Sequence, residues 1–524
     1  MNVIKILWAD DEIDLLKPQI LFLEQKGYLV DGVTNGHDAL DKVKNGNYDL
    51  VFLDESMPGI TGLETLPLIK QIHQDLPVVL ITKNEEENLM DEAIGSQISD
   101  YLIKPVRPNQ ILLAIKKIID NKRLFQEKTT TDYRQEFQQI MLSMTNNMSH
   151  QEWVDVYRKL IFWDLELDKA ENNQMREVYN MQRVEANKEF FKFIQKNYLG
   201  WLKNQNSNTT PTLSHNLFKD KVIPNIDGDI PTFFILIDNL RYDQWKMIET
   251  LVNENFRKVS EDYFFSILPT TTQYSRNAIF SGLMPSEIEK KYNDKWSHDE
   301  DEGGKNLHEE FFFGEQMKRL GANIKTSYTK ITNHQNGKIL EDNILNLMNN
   351  TLNVIVYNFV DMLSHARTEM EVLKELASNE SAYRSLTVSW FDHSPLFNAL
   401  QKLKDKKVRL IFTADHGTTR VQSPSKIIGD KNTTANLRYK TGKNLNYNPK
   451  EVFEVKNPDE AFLPKANISS SFVFAKEDYY FVYPNNYNHF ANYYKDTFQH
   501  GGISLEEIIV PFMVYQNKQV SIKY

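Results

Sequence analysis

The 524-residue chain contains no cysteine. Disulfides, thiolate metal sites and cysteine nucleophiles are therefore excluded. Any transition-metal site must be built from His, Asp, Glu, Ser or Thr. Long apolar runs are also missing. The longest, such as 233–237 and 354–357, are far too short to span a bilayer, and no membrane association is expected. There is no excess of basic charge. Lys and Arg number 61 against 71 Asp and Glu, a formal net charge of −10. This balance argues against a general nucleic-acid binder. A helix-turn-helix signature with a basic recognition helix is not evident, so direct binding to duplex DNA is not expected. The N-terminal MNVIKILWADDEID lacks a basic stretch followed by an apolar one. No signal peptide is expected, and the expected location is cytoplasmic. What is present is ordinary for a folded protein: 41% hydrophobic and 25% charged residues. That composition excludes a disordered chain, and the length predicts three or four domains.

The first 120 residues alternate short apolar runs with helical patterns. Runs at 4–8, 28–33, 49–54, 77–82 and 100–105 predict strands. The spacing predicts helices over 12–26, 38–45 and 110–120. Such βα units imply a doubly wound parallel sheet. Asp10 and Asp11 follow the first strand, Asp54 ends the third, Thr82 the fourth, and Lys104 follows the fifth. The carboxyl ends of strands in an open α/β sheet converge on one crevice. Clustered carboxylates there suit Mg²⁺. An Asp beside such an ion, a hydroxyl and a Lys is equipped to accept a phosphoryl group.

This segment resembles the receiver domain of two-component response regulators, in Asp10/Asp11, Asp54 within DESMPGITG, Thr82, Tyr101 and Lys104-Pro105. The resemblance implies that Asp54 is phosphorylated by a sensor histidine kinase. It implies that Asp11, Asp54 and the Ser56 carbonyl hold Mg²⁺ with Asp10 assisting, and that Thr82 and Lys104 contact the phosphoryl oxygens. It further implies a homodimer on phosphorylation.

Residues 121–202 have no proline and abound in good helix formers. Trp153, Val156, Leu160 and Trp163 fall at helical spacing, which predicts a helical bundle. The polar stretch 204–216, with Pro211, predicts a linker or exposed loop.

A second constellation follows. Apolar runs at 232–237, 353–360 and 407–412 each end in ligand-type residues: Asp238, then Asp361 and His365, then Asp415 and His416. His500 stands in QHGGISLEEIIVP. The strand-end rule brings such residues to one edge, and three Asp with three His match the ligand set of a two-metal hydrolytic site. A nucleophile is available in ILPTTTQYSRNAIFSG, at 267–282. Its hydroxyls precede a helical pattern, where a phosphate is readily bound. The order Asp238, PTTT, D-x-x-x-H at 361–365, D-H-G at 415–417 and H-G-G at 500–502 resembles the alkaline phosphatase superfamily, and within it the PglZ-type domain. The resemblance implies two zinc ions. Asp238, Thr272, Asp415 and His416 would serve one, and Asp361, His365 and His500 the other. Thr272 aligns as the nucleophile, with Thr271 as the alternative. No Arg dedicated to a monoester's extra charge is evident except Arg276, and aromatics at 479–494 could stack bases. The expected substrate is therefore a nucleotide or oligonucleotide phosphodiester, with phosphomonoester as the runner-up. The Asn/Lys-rich stretch 423–470 predicts a lid or a surface insertion.

The expected fold class is multidomain. It comprises a flavodoxin-like α/β receiver (1–122), an all-α helical bundle (123–203) and an α/β alkaline-phosphatase-like domain (204–524). This combination resembles the response regulators of the type IX secretion system. That resemblance implies control of secretion, with a sigma factor as the candidate intermediary. The alternative function is a signalling adaptor whose metal domain is a scaffold.

Overall fold

The computed structural model describes residues 4–83, 98–144, 147–170, 173–204, 209–299, 301, 303–361, 377, 379–430, 433–465 and 469–518. The chain divides into two compact units: Met1–Gln135 with Lys169–Asn172, and Glu136–Asp168 with Asn173–Tyr524.

In the first unit, β1 (Lys5–Ala9), β2 (Leu29–Val33), β3 (Leu50–Asp54), β4 (Val78–Thr82) and β5 (Asp100–Ile103) form one sheet in the order β2-β1-β3-β4-β5. All neighbours pair in parallel. Side chains alternate between the two faces of a strand. Leu7, Ala9, Val51 and Leu53 thus enter a core with Leu40, Leu66 and Ile69. Ile6, Trp8, Leu50 and Phe52 enter another with Leu23, Ile111 and Ile115. Because both faces are covered, β3 and β4 are buried throughout, and their only polar residues, Asp54 and Thr82, lie at the carboxyl ends. The helix expected over 12–26 starts as a 3-10 turn, Ile13–Leu16. Pro18 then opens the α-helix Lys17–Gln25 in its first turn. Thr61 caps the helix Gly62–Ile72 with a reciprocal Glu64 contact. A Cβ on Gly62 would lie 2.4 Å from the Asp54 carbonyl oxygen, so glycine lets this helix start close behind Asp54.

The second unit is built on a six-stranded sheet. Its strands are β6 (Thr232–Ile237), β7 (Phe256–Phe265), β8 (Thr326–Ile331), β9 (Leu352–Tyr357), β10 (Arg409–Thr413) and the C-terminal strand Ile509–Asn517. The order is β7, C-terminal strand, β10, β6, β9, β8. β10, β6, β9 and β8 pair in parallel, and the C-terminal strand runs antiparallel to β10 and β7. The carboxyl ends of β6, β7, β9 and β10 therefore share one edge, and the C-terminal strand begins there.

The helices His150–Lys169 and Asn173–Lys203 pack within this same unit. Trp153, Val156, Leu160 and Trp163 lie on the buried face. Trp201 meets Phe265 of β7 edge-on at 5.7 Å. Ion pairs tie these helices to the helices Tyr242–Asn255 and Glu380–Asp392 that flank the sheet. Arg384 bonds Asp164 at 2.8 Å and Asp243 at 3.1 Å, and also Asp168. Arg241 bonds Asp243 at 2.9 Å and Glu380 at 2.6 Å, and Arg183 bonds Glu380 at 3.0 Å.

One expectation is corrected, and another is made more specific. Within 204–216, Pro211, Leu213, Ser214 and His215 are buried. Leu213 bridges to Phe265, and the Ser214 hydroxyl accepts the Ile267 N–H at 3.0 Å. The Ser214 hydroxyl thus serves a backbone group rather than facing water. The stretch 423–470 belongs to a folded subdomain. Strands Ser423–Ile428, Val452–Val455, Ser471–Ala475 and Tyr479–Val482 surround a core of Ile427, Val452, Val473, Ala475 and Phe481. Among the described residues no helix is long and apolar enough to cross a membrane.

Candidate functional site

The receiver crevice gathers its acids as the strand-end rule expects. Asp10 and Asp54 are buried, and Lys104 Nζ lies 3.0 Å from Asp10 Oδ2 and 2.9 Å from Asp54 Oδ2. Burial, with Asp10 and Asp11 adding, raises the Asp54 carboxyl to about 6 against the pull of Lys104. Lys104 in turn is held above its ordinary value, because the two carboxylates outweigh its burial. Asp10, Asp11 and Glu12 offer oxygens within 4.8 Å of one another. Glu12 was not singled out in the sequence. Ser56 is exposed in the bend after β3. The Thr82 hydroxyl donates to Glu55 at 3.0 Å. The Lys104-Pro105 bond is cis.

The second centre lies at the shared edge of the six-stranded sheet. Asp238 follows β6, and Asp415 and His416 follow β10. Ligand atoms of these three buried residues lie within 4.8 Å of one another. Thr272 Oγ1 lies 3.2 Å from Asp238 Oδ1 and 3.2 Å from His416 Nε2. Asp361, four residues past β9, lies 3.4 Å from His500 Nε2, and the rings of His416 and His500 stack at 4.4 Å. The two groups of ligands adjoin as one centre. His365 lies outside the described residues. Thr271 Oγ1 is buried with no hydrogen-bond partner among the described residues.

The loop carrying Thr272 is held from several sides. The Tyr198 hydroxyl accepts the Leu268 N–H at 2.8 Å, and Ser275 Oγ donates to the Asp415 carbonyl at 2.6 Å. Asn306 Nδ2 donates to the Thr272 carbonyl at 2.9 Å. Arg276 is buried, and its guanidinium bonds Asp238 at 2.9 Å, Asn358 at 3.0 Å and Glu309 at 2.6 Å. Lys330 pairs with Glu309 at 2.9 Å. Glu309, Asn358 and Asn306 escaped the sequence reading, because no short motif contains them. Asn239, next to Asp238, also donates to Asp361 at 3.3 Å.

Charge and hydrogen bonding both leave room for cations. Four acids, Asp238, Asp361, Asp415 and Glu309, gather at this centre, where Arg276 pairs with Asp238 and Glu309, Lys330 with Glu309, and His500 with Asp361. Asp415 Oδ2 is fully buried without a hydrogen bond among the described residues. Burial, with Asp238 adding, raises Asp415 to about 6. Burial likewise raises Asp238 and lowers His416 to about 4. For His500, burial acts downward, but Asp361, Asp238 and Glu507 prevail and raise it. The buried Asp415 oxygen and the Nε2 of His416, on an imidazole kept neutral by burial, fit a divalent cation held by N and O donors.

Comparison with known proteins agrees with this geometry. The response regulator receiver domain matches residues 6–116, the PorX response regulator linker domain residues 123–202, and the BREX system PglZ alkaline phosphatase-like domain residues 217–515. Similar proteins include the transcriptional regulatory protein ResD of Bacillus subtilis. It is 32% identical over 118 residues, 22% of this chain and 49% of the relative. The phosphoglycerate transport system regulatory protein PgtA of Salmonella typhimurium is 30% identical over 165 residues, 32% of this chain and 38% of the relative. The chain spans about half the length, or less, of these curated relatives. Among solved structures, TrrA from Thermotoga maritima is 32% identical, covering 22% of this chain and 98% of that one, with a TM-score of 0.21. CheY4 of Vibrio cholerae is 24% identical, covering 22% and 99%, with a TM-score of 0.22. With more than half its length matched by the PglZ model, the chain belongs to the PglZ alkaline phosphatase-like family, and its succession of receiver, PorX linker and PglZ domain is that of a PorX-type response regulator.

Proposed function

We propose that the protein is a response regulator, phosphorylated on Asp54 by a histidine kinase, whose effector domain is a dizinc phosphodiesterase acting on nucleotide or oligonucleotide diesters. The observation that carries this reading is Thr272 Oγ1, at 3.2 Å from both Asp238 and His416. A scaffold has no need of a hydroxyl so placed. Asp238, Asp415, His416 and Thr272 would hold one cation, and Asp361 and His500, with His365, the other. Bound cations would supply the charge that lowers the Thr272 hydroxyl pKa and stabilises the phosphoryl oxygens.

The chain's own residues prepare that chemistry. The His416 Nδ1 proton is placed toward the Gly417 carbonyl at 3.1 Å, so its Nε2 lone pair faces Thr272. Asn306 and Ser275 hold the nucleophile turn, which orients the hydroxyl for in-line attack. Arg276 holds Asp238 and is committed to three protein partners, so it cannot meet the extra charge of a monoester. That favours a diester. In the receiver, Asp11, Asp54 and the Ser56 carbonyl would hold Mg²⁺, and Thr82 and Lys104 would meet the phosphoryl oxygens. Phosphorylation would then shift a dimerisation equilibrium. The PorX linker match supports a role in type IX secretion, with a sigma factor as the candidate partner.

Metal analysis with hydrolysis of a chromogenic diester and monoester tests the reading. The expected result is about two zinc ions per chain. Diester cleavage should fall by about 10³-fold or more in Thr272→Val, with zinc retained. Zinc without turnover would turn the assignment to the adaptor.

A further inference from the structure

This inference rests on the reading that His500 and Asp361 ligate the second cation. His500 opens a turn whose next two residues are glycines. Gly501 has φ +122°, and a Cβ there would lie 2.8 Å from Tyr439 Cδ1 and 2.9 Å from Asn436 Oδ1. On Gly502 a Cβ would lie 2.5 Å from the Ala475 carbonyl oxygen and 2.8 Å from Arg438 Cζ. All four neighbours belong to the inserted subdomain. The glycines stand there because that subdomain lies directly against the turn.

Arg438 is fully buried. Its Nε and Nη2 donate to the two carboxylate oxygens of Glu507 at 3.1 and 2.6 Å. Nη2 also donates to the Glu477 carbonyl at 2.8 Å, and Nη1 to the Lys476 carbonyl at 3.2 Å and to the Tyr479 carbonyl. All five guanidinium protons are engaged. Glu507 also accepts the Gly502 N–H at 2.9 Å and the Ser504 hydroxyl at 2.8 Å. From the other side, Thr270 Oγ1 accepts the Gly501 N–H at 3.0 Å and donates to the Gly502 carbonyl at 2.9 Å. The Thr270 carbonyl faces His500 Nδ1 at 3.3 Å. That contact favours the proton on Nδ1, so Nε2, beside Asp361, is the nitrogen left for a metal.

We propose that Arg438 is a positioning residue for His500. Through Glu507 it fixes the turn 500–502, so that the imidazole presents Nε2 beside Asp361. The inserted subdomain is then a fixed wall of the centre and not a lid. A second anchor has the same effect: Tyr439 of the subdomain and Tyr274 of the nucleophile turn both donate to Asp299, at 2.8 and 2.7 Å.

The test is zinc titration of the full chain against a chromogenic chelator, for wild type, Arg438→Gln, Arg438→Lys and Glu507→Gln. Circular dichroism and thermal unfolding check the fold of each. Wild type should show two classes of zinc site. Arg438→Gln should weaken one class by about 10–100-fold and leave the other unchanged, with partial recovery in Arg438→Lys. Should Arg438→Gln fail to fold, the near-isosteric Glu507→Gln carries the same expectation. Folded variants that bind both ions as wild type does, or that weaken both equally, would overturn the proposal and leave the metal reading standing. A wild type that binds no zinc would overturn both.

Discussion

The two acidic centres solve one electrostatic problem in different ways. Each gathers carboxylates at the carboxyl ends of parallel strands, and each places a cation among them. In the receiver that cation is Lys104, whose side chain is 13% exposed and whose side-chain partners among the described residues are Asp10 and Asp54. In the second unit it is Arg276, 1% exposed, which bonds Asp238, Asn358 and Glu309 at once. A lysine is a point charge on a flexible stem, whereas a guanidinium is a rigid fork. The first arrangement can exchange one negative partner for another, as a phosphoryl acceptor requires. The second holds a carboxylate in one orientation, as the proposed catalytic centre requires. A switch and a tool are thus distinguished by which cation neutralises the acids and by how many partners it has.

Removing the cations tests that contrast. In metal-free buffer Arg276→Met should cost about 3–5 kcal/mol, because it strands buried Asp238 and leaves buried Glu309 with Lys330 as its remaining cation. The unfolding transition of the second unit, followed by calorimetry, should drop accordingly. A shift of only a degree or two would sink the idea of a fixed cation. Lys104→Met should cost only about 1–2 kcal/mol, since Asp54 can take up a proton in its place. The same variant should lose the mass increase that beryllofluoride is expected to cause in wild type, read by light scattering. The smallest effect concerns pH. With magnesium chelated, folded Asp54 titrates near 6, whereas an unfolded Asp titrates at about 4. Between those values the folded chain binds the extra proton. The Asp54 contribution to stability therefore rises as pH falls from 7 through 6 toward 4. Urea midpoints for wild type minus Asp54→Asn should show that slope; a flat difference would contradict the raised carboxyl.

Much of this was legible from spacing alone. β6 occupies the run 232–237 that the sequence marks, and Asp54 and Thr82 end their strands because buried parallel strands admit polar residues only there. The same rule located Asp238, Asp361, Asp415, His416 and His500 on one edge. What spacing could not give is anything set by the approach of distant elements. Arg276 was visible, but its commitment to Glu309 depends on where the helix Glu309–Arg319 packs. His-Gly-Gly was visible too, but its glycines answer to Arg438 and Tyr439, some sixty residues earlier. The stretch 204–216 looked like a linker because its composition is polar. There the buried Ser214 hydroxyl in fact accepts the backbone N–H of Ile267, just past β7.

One earlier feature bears on how this protein could be taken apart. The ions joining Asp164, Asp168 and Arg384 to Asp243, Arg241 and Glu380 cross the point where the helical segment gives way to the PglZ-like one. A chain begun at residue 204 would keep Arg384, 2% exposed, and lose two of its three carboxylates. It would also lose the Tyr198 hydroxyl that steadies the loop carrying Thr272. The PglZ-like segment is therefore not a portable module. Its smallest transplantable piece includes the helices before it, and a graft onto another sensor must carry them along.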